Sequence, residues 1–153
     1  MIKYQKASID DIDELARIRS IFLKELKDCS EDERLFVENA NKAYFESAFA
    51  DDSFVAWLAT VNGKIVATSG LSFSLTPPSL EKPDGKVAYI MNMYTTPEYR
   101  KQGLAMELLK RIVEEAKNRG YRKITLNATE MGKPIYEKFG FKDVIGDMVF
   151  YAD

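Results

Sequence analysis

One stretch concentrates residue types suited to holding an anion: Tyr94-Thr95-Thr96-Pro97-Glu98-Tyr99-Arg100-Lys101-Gln102-Gly103-Leu104-Ala105-Met106. An apolar run from Val87 to Tyr94 leads into it, and an amphipathic helical pattern over Lys101–Arg119 leads out. The order is therefore strand, short loop, helix N-terminus. A helix N-terminus presents unpaired N–H groups and the positive end of the peptide dipoles. A glycine at the entry and basic side chains beside it make a cradle for a phosphate-like group. One further residue stands out: Asn92 places an amide inside an otherwise apolar strand.

Other chemistries are excluded by composition. The 153 residues contain no histidine and a single cysteine, Cys29. Histidine-dependent triads, histidine-ligated zinc, internal disulfides and multi-cysteine metal sites are ruled out, and no metal is expected. Gly63-Lys64, Gly85-Lys86 and Gly132-Lys133 are not followed by Ser or Thr, so there is no P-loop. No Gly-x-Gly-x-x-Gly motif is present. Hydrophobic content of 46% and charged content of 30% describe a soluble globular chain. A net charge of −2 offers no case for nucleic acid. The N-terminus has no signal-like apolar region and no run approaches membrane-spanning length, so a cytoplasmic protein without membrane partners is expected. Charge is uneven: residues 10–52 hold thirteen acids and six bases, the remainder eleven acids and sixteen bases. An acidic region facing a cation and a basic region facing a polyanion is one reading; solvated helix faces are the other.

The elements that position these residues follow from periodicity. Ile2–Lys6 alternates as a short strand, and Ser8 or Asp10 caps the helix after it. Ile12, Leu15, Ala16, Ile18, Arg19, Phe22, Leu23 and Leu26 form its stripe. Ser30 with Glu33 makes a capping box for a second helix that ends near Asp51-Asp52. Strands over 54–61 and 64–74 flank Asn62-Gly63, a type I′ hairpin signal. Trp57 is placed in the core, and Gly70 marks a bulge or a close approach. Residues 76–85 form the one clear loop. Lys86–Thr95, the helix from Lys101 and a strand over 122–127 make a βαβ unit with parallel strands. Pro134 opens a short last helix that Gly140 ends. Strands over 141–144 and 147–151 then close a single domain spanning 1–153.

Arg100-Lys101-Gln102-Gly103-Leu104-Ala105 fits Arg/Gln-x-x-Gly-x-Gly/Ala, and in this setting it resembles the signature of the GNAT acyltransferases, the GCN5-related N-acetyltransferases. Pro134-Ile135-Tyr136-Glu137-Lys138-Phe139-Gly140-Phe141 resembles the family's Leu-Tyr-Glu-Lys-x-Gly-Phe segment. The element order agrees along the whole chain. The resemblance implies an α/β (α+β) fold, with a central mixed twisted sheet of about seven strands flanked by about four helices.

It also implies acetyl-CoA as cosubstrate and transfer of the acetyl group to a primary amine by direct attack in a ternary complex. The pyrophosphate would lie on the N–H groups of Lys101, Gln102, Gly103, Leu104, Ala105 and Met106, with charge from Arg100 and Lys101 nearby. The pantetheine arm would run along Met93, Tyr94 and Thr95, facing Asn127 or Thr129. A backbone N–H of Met93 or Tyr94 would stabilise the oxyanion, and Tyr136 would protonate the leaving thiolate. The family often carries a carboxylate base on this strand, but no acid lies between Lys86 and Pro97. Glu25 or Glu33 acting through water, or an amine that arrives neutral, are the remaining options. The acidic 10–52 region favours a cationic acceptor. A homodimer would be in keeping with the family, and a non-catalytic acyl-CoA-binding module is the alternative to an enzyme.

Overall fold

The computed structural model describes residues 1–152. Strand β1 (Ile2–Lys6) leads through a 3-10 turn (Ile9–Asp11) into helices α1 (Ile12–Leu26) and α2 (Glu31–Ala50). Strands β2 (Phe54–Val55), β3 (Trp57–Val61), β4 (Lys64–Leu75) and β5 (Lys86–Thr95) follow. Helix α3 (Leu104–Asn118), strand β6 (Lys123–Leu126) and helix α4 (Lys133–Phe139) complete the regular structure. The sheet order is β1-β3-β4-β5-β6, with β2 also paired to β4. All pairs are antiparallel except β5–β6, which is parallel as a βαβ crossover requires. Helices α1 and α2 bury Leu15, Ala16 and Phe45 against one face of the sheet. On the other face α3 buries Leu108, Leu109, Ile112 and Ala116. Among the described residues no helix is long and apolar enough to cross a membrane.

Local chemistry explains the boundaries. Ser8 caps the 3-10 turn in a capping box with Asp11, and Ser30 with Glu33 does the same for α2. Asn62 (φ +50°) and Gly63 (φ +78°) take the two left-handed positions of the β3–β4 turn. A Cβ at Gly70 would lie 2.7 Å from the Phe54 ring and 3.0 Å from the Met91 carbonyl, so glycine is needed for close approach.

Four expectations are corrected. Strand 54–61 breaks at Ala56 into β2 and β3, where the Ala56 carbonyl accepts from the Ala7 N–H at 2.9 Å. Helix α3 begins at Leu104, not Lys101, because Lys101 (φ +62°) and Gly103 (φ +84°) are both left-handed. Trp57 is half-buried at a polar seam: its indole N–H donates to Glu115 at 3.3 Å and Arg111 stacks on its ring. Among the described residues the two C-terminal strands do not form, and the sheet has six strands. The Phe141 N–H instead bonds back to the Tyr136 carbonyl and caps α4. β6 is only four residues long and offers little edge to pair with, and Val149, Phe150 and Tyr151 stay exposed.

Candidate active site

The site is built where β5 outruns its neighbour. β5 pairs with β6 only through Val87–Ile90 against Lys123–Leu126. Beyond that point β5 continues to Thr95 while β6 has ended, so the two strands part. On the other side β5 stays paired to β4, with a register shift between Thr68 and Gly70, opposite Met91–Tyr94.

Asn92 causes the shift. Its φ of +58° lies in the left-handed region, which Asn tolerates better than most residues. The strand's facing pattern changes there. Ile90 packs on the α3 side and Met91 on the α1 side, then Met93 returns to the α3 side and Tyr94 to the α1 side. Asn92 is thus one inserted residue, a β-bulge. Its carbonyl accepts from the Thr68 hydroxyl at 2.8 Å. The residue is 2% exposed, and neither amide atom has a partner among the described residues. The amide therefore makes no hydrogen bond to the irregular backbone around it among the described residues.

Beyond the bulge the two-residue repeat of the strand decides which groups face the gap. The Thr96 N–H bonds the Val66 carbonyl of β4. Tyr94 shares that direction, whereas Met93 and Thr95 face the unpaired edge. The Thr95 carbonyl accordingly accepts from the Arg100 Nε at 2.9 Å.

The loop into α3 supplies the anion-binding geometry. The N–H groups of Lys101 to Met106 have no protein acceptor among the described residues; the first helical bond of α3 is Glu107 N–H to the Gly103 carbonyl. No side chain caps the helix. Left-handed residues at Lys101 and Gly103 turn consecutive N–H groups toward one side, forming a concave nest. A Cβ at Gly103 would meet nothing within 4 Å, so glycine is there for its dihedral angle and the space beside it is open.

Side chains divide differently from the sequence-based expectation. Arg100 turns away from the nest: besides Thr95 it bonds the Glu25 carboxylate at 3.0 Å and stacks over the Tyr94 ring. Tyr94 donates to the other Glu25 oxygen at 2.8 Å. Burial, reinforced by Glu25, pushes the Tyr94 phenol up to about 12. Glu25 therefore has both oxygens engaged. Glu33 accepts from the Ser30 N–H as the α2 cap, and its hydrogen bonds with Ser30 hold its carboxyl below the usual range. Gln102 donates to the Glu98 carbonyl at 3.3 Å. Thr129 is occupied in starting α4, where its hydroxyl accepts from the Gly132 N–H at 3.1 Å. Asn127, opposite the gap, is exposed.

Tyr136 lies half-buried on α4, with its ring edge-on to Phe141 and its hydroxyl unbonded among the described residues. Burial, with the nearby Tyr89 phenol, pushes it up to about 12. A functional candidate with no motif to announce it is Arg19, half-buried on α1 beside Tyr44 and Tyr89. Its one signal is a charge on the apolar stripe. Among the described residues, no cluster of three or more Cys, Asp or Glu could hold a metal ion.

The comparisons with known proteins agree with this geometry. The sequence model of the Acetyltransferase (GNAT) family matches residues 15–141. The crystal structure of a predicted acetyltransferase from Clostridium acetobutylicum with acetyl-CoA is 34% identical, with a TM-score of 0.92 over 99% of this chain and 96% of that one. A GCN5-related N-acetyltransferase from Ralstonia eutropha JMP134 is 26% identical, with a TM-score of 0.90 over the full length of both. Glucosamine 6-phosphate N-acetyltransferase of Trypanosoma brucei brucei is 30% identical over 80 residues, covering 52% of each chain. The uncharacterized N-acetyltransferase YsnE of Bacillus subtilis is 32% identical over 69 residues, 42% of this chain and 46% of the other. The chain thus spans about half the length of the curated relatives it matches. With a family match over most of its length and the parted strands and open nest in place, the chain belongs to the GNAT acetyltransferase family.

Proposed function

We propose that the protein transfers an acetyl group from acetyl-CoA to a primary amine by direct attack within a ternary complex. The observation that carries this reading is the run of six N–H groups, Lys101–Met106, without a partner among the described residues and beside the unpaired half of β5. The first binds a pyrophosphate by backbone donors and helix dipole. The second offers Met93 and Thr95 to an extended arm that hydrogen-bonds as an added strand.

In this reading the Met93 N–H, on the open edge, meets the oxygen of the tetrahedral adduct; Tyr94 is turned toward β4. The nitrogen–carbon bond forms, the carbon–sulfur bond breaks, the nitrogen gives up one proton and the sulfur gains one. Tyr136 is the acid at the sulfur. A phenol near 12 is a weaker acid than a thiol of pKa ~8.5, and complete transfer to a free thiolate would be uphill by about 5 kcal/mol. The hydroxyl therefore acts by hydrogen-bonding the sulfur as charge develops, its proton being replaced from the attacking nitrogen. With Glu25 and Glu33 both engaged, the amine attacks as the neutral base.

The test is Tyr136→Phe assayed by free-thiol release across an amine panel. Turnover should fall by about 10²–10⁴-fold, the usual contribution of a positioned acid, with acetyl-CoA affinity within a factor of about two. Unchanged turnover would remove Tyr136 from the mechanism. Tight CoA binding with no amine-dependent thiol release from the unmodified protein would favour a non-catalytic acyl-CoA-binding module.

A further inference from the structure

Among the described residues, Arg19 is the half-buried arginine that has no carboxylate. Of the seven arginines, Arg17, Arg34, Arg100, Arg111 and Arg119 pair with Asp or Glu at 2.6–3.1 Å, and Arg122 is exposed. Among the described residues Arg19 makes neither an ion pair nor a hydrogen bond. Its position on α1 is one turn beyond Leu15 and Ala16, both fully buried, and one turn before Phe22, which packs on the same cluster. The guanidinium is thus carried on the face that α1 turns to the sheet. Burial lowers its pKa, and the groups that oppose this are the phenols of Tyr44 and Tyr89.

Withdrawing a cation from water without a partner is costly, and removing such a group commonly stabilises a protein. A charge kept at that cost is accounted for by a ligand that supplies the missing anion. The location fits: Tyr89 on β5 lies within electrostatic reach of both Arg19 and Tyr136. Arg19 therefore belongs to the surroundings of the proposed acid, on a different element from the phosphate-binding nest.

We propose that Arg19 binds an oxyanion on the acceptor, which is a small primary amine that also carries a carboxylate or a phosphate. The planar guanidinium matches either group with paired N–H donors, and the phenols of Tyr44 and Tyr89 add hydroxyl donors. This deepens the transferase reading and rests on it. It also opposes the cationic acceptor suggested by the acidic 10–52 region, because five of its thirteen acids are already held by arginines of the protein. Glu14 pairs with Arg17, Glu31 and Glu38 with Arg34, Glu25 with Arg100, and Asp52 with Arg119.

The experiment uses the CoA-saturated protein, so that the nest is already occupied. Melting temperature is followed with glucosamine 6-phosphate against glucosamine, phenylalanine against phenethylamine, and spermidine alone. At least one anionic probe should bind at least tenfold more tightly than its neutral-tailed partner. The pair that shows the preference identifies phosphate or carboxylate as the source. Arg19→Met should abolish the preference and Arg19→Lys retain part of it. Unliganded Arg19→Met should melt about 2–4 °C higher, as loss of an unpaired buried charge predicts for a chain of this size. No Arg19-dependent binding of either anionic probe, or a preference unchanged in Arg19→Met, overturns the proposal. Thiol release driven by spermidine or glucosamine in preference to the anionic probes also overturns it, while leaving the transferase reading standing.

Discussion

The two halves of the proposed site are made of different material. The nest at α3 consists of backbone: six N–H groups, a left-handed Lys101 and a left-handed Gly103. The face between α1 and β5 consists of side chains: Arg19, Glu25, Tyr89 and Tyr94. A backbone site serves any ligand with the same phosphate and depends on dihedral angles. A side-chain site is tuned residue by residue and depends on which helix lies against which strand. The first suits a cosubstrate shared across a family, the second an acceptor that distinguishes its members.

The largest effect should come from Gly103→Val. A β-branched residue at φ +84° is a steric outlier. The backbone should relax out of the left-handed region and scatter the row of N–H donors. Left-handed geometry costs a non-glycine residue about 1–2 kcal/mol, and lost donors add to that, so acetyl-CoA affinity should fall by about 10–100-fold. A Cβ there meets no protein atom within 4 Å, so unliganded stability should fall by no more than the left-handed strain of about 1–2 kcal/mol. Calorimetric titration with CoA and a melting curve separate the two. If affinity holds, the site is not the backbone nest.

This contrast explains what was legible in the sequence. Glycine, spacing and a strand–helix junction encode the nest locally, so Lys101–Met106 was readable within a few residues of chain. The β3–β4 hairpin turn, the parallel β5–β6 pair and the Ser30–Glu33 capping box were equally local in origin. The start of α3 was placed three residues early because an apolar stripe carries no signal for a left-handed lysine. The C-terminal strands were inferred from β-rich composition, but pairing depends on a partner edge elsewhere, and β6 is too short to supply one. The family resemblance implies phosphate charge from Arg100; in the folded chain its guanidinium bonds Glu25, 75 residues away, a contact that exists only once α1 lies on β5. Arg19 was visible on the α1 stripe, but its lack of an anion is a property of the folded chain alone.

A smaller effect should separate backbone from side chain within one residue. Asn92 has both a left-handed backbone and a buried, partnerless amide. Asn92→Gly keeps the first and deletes the second. An unsatisfied buried amide costs about 1–3 kcal/mol, against about 0.5–1 kcal/mol for glycine in a strand, so Asn92→Gly should be neutral or up to about 2 kcal/mol more stable. Asn92→Ala must also bear the left-handed strain and should be the less stable variant. If Asn92→Gly keeps full turnover, the bulge is a backbone device like the nest; if turnover drops while stability holds, the amide belongs with the side-chain face. Denaturant midpoints and kcat/KM on the same preparations decide between the two.

The smallest effect concerns Glu25, which ties the two regions together through Arg100. Both partners are partly exposed, at 31% and 40%, and such pairs contribute about 0–1 kcal/mol. Glu25→Gln keeps an acceptor for the Tyr94 hydroxyl but no charge for Arg100. Near neutral pH the melting temperature should fall by no more than about 4 °C. At high pH the sign reverses. Tyr94 is held up to about 12, first by burial and then by Glu25. A phenol raised in the folded state keeps its contribution below the unfolded value of ~10 and loses it as pH rises toward 12. Removing the Glu25 charge lowers the folded value, so the alkaline fall in stability between pH 10 and 12 should be shallower in Glu25→Gln. Melting temperatures from pH 8 to 11.5 test this, and an unchanged slope would mean that burial alone sets Tyr94. If acetyl-CoA binds a few-fold more tightly to the same variant, Arg100 is shared between the nest and the acceptor face, and Glu25 is what withholds it from the phosphates.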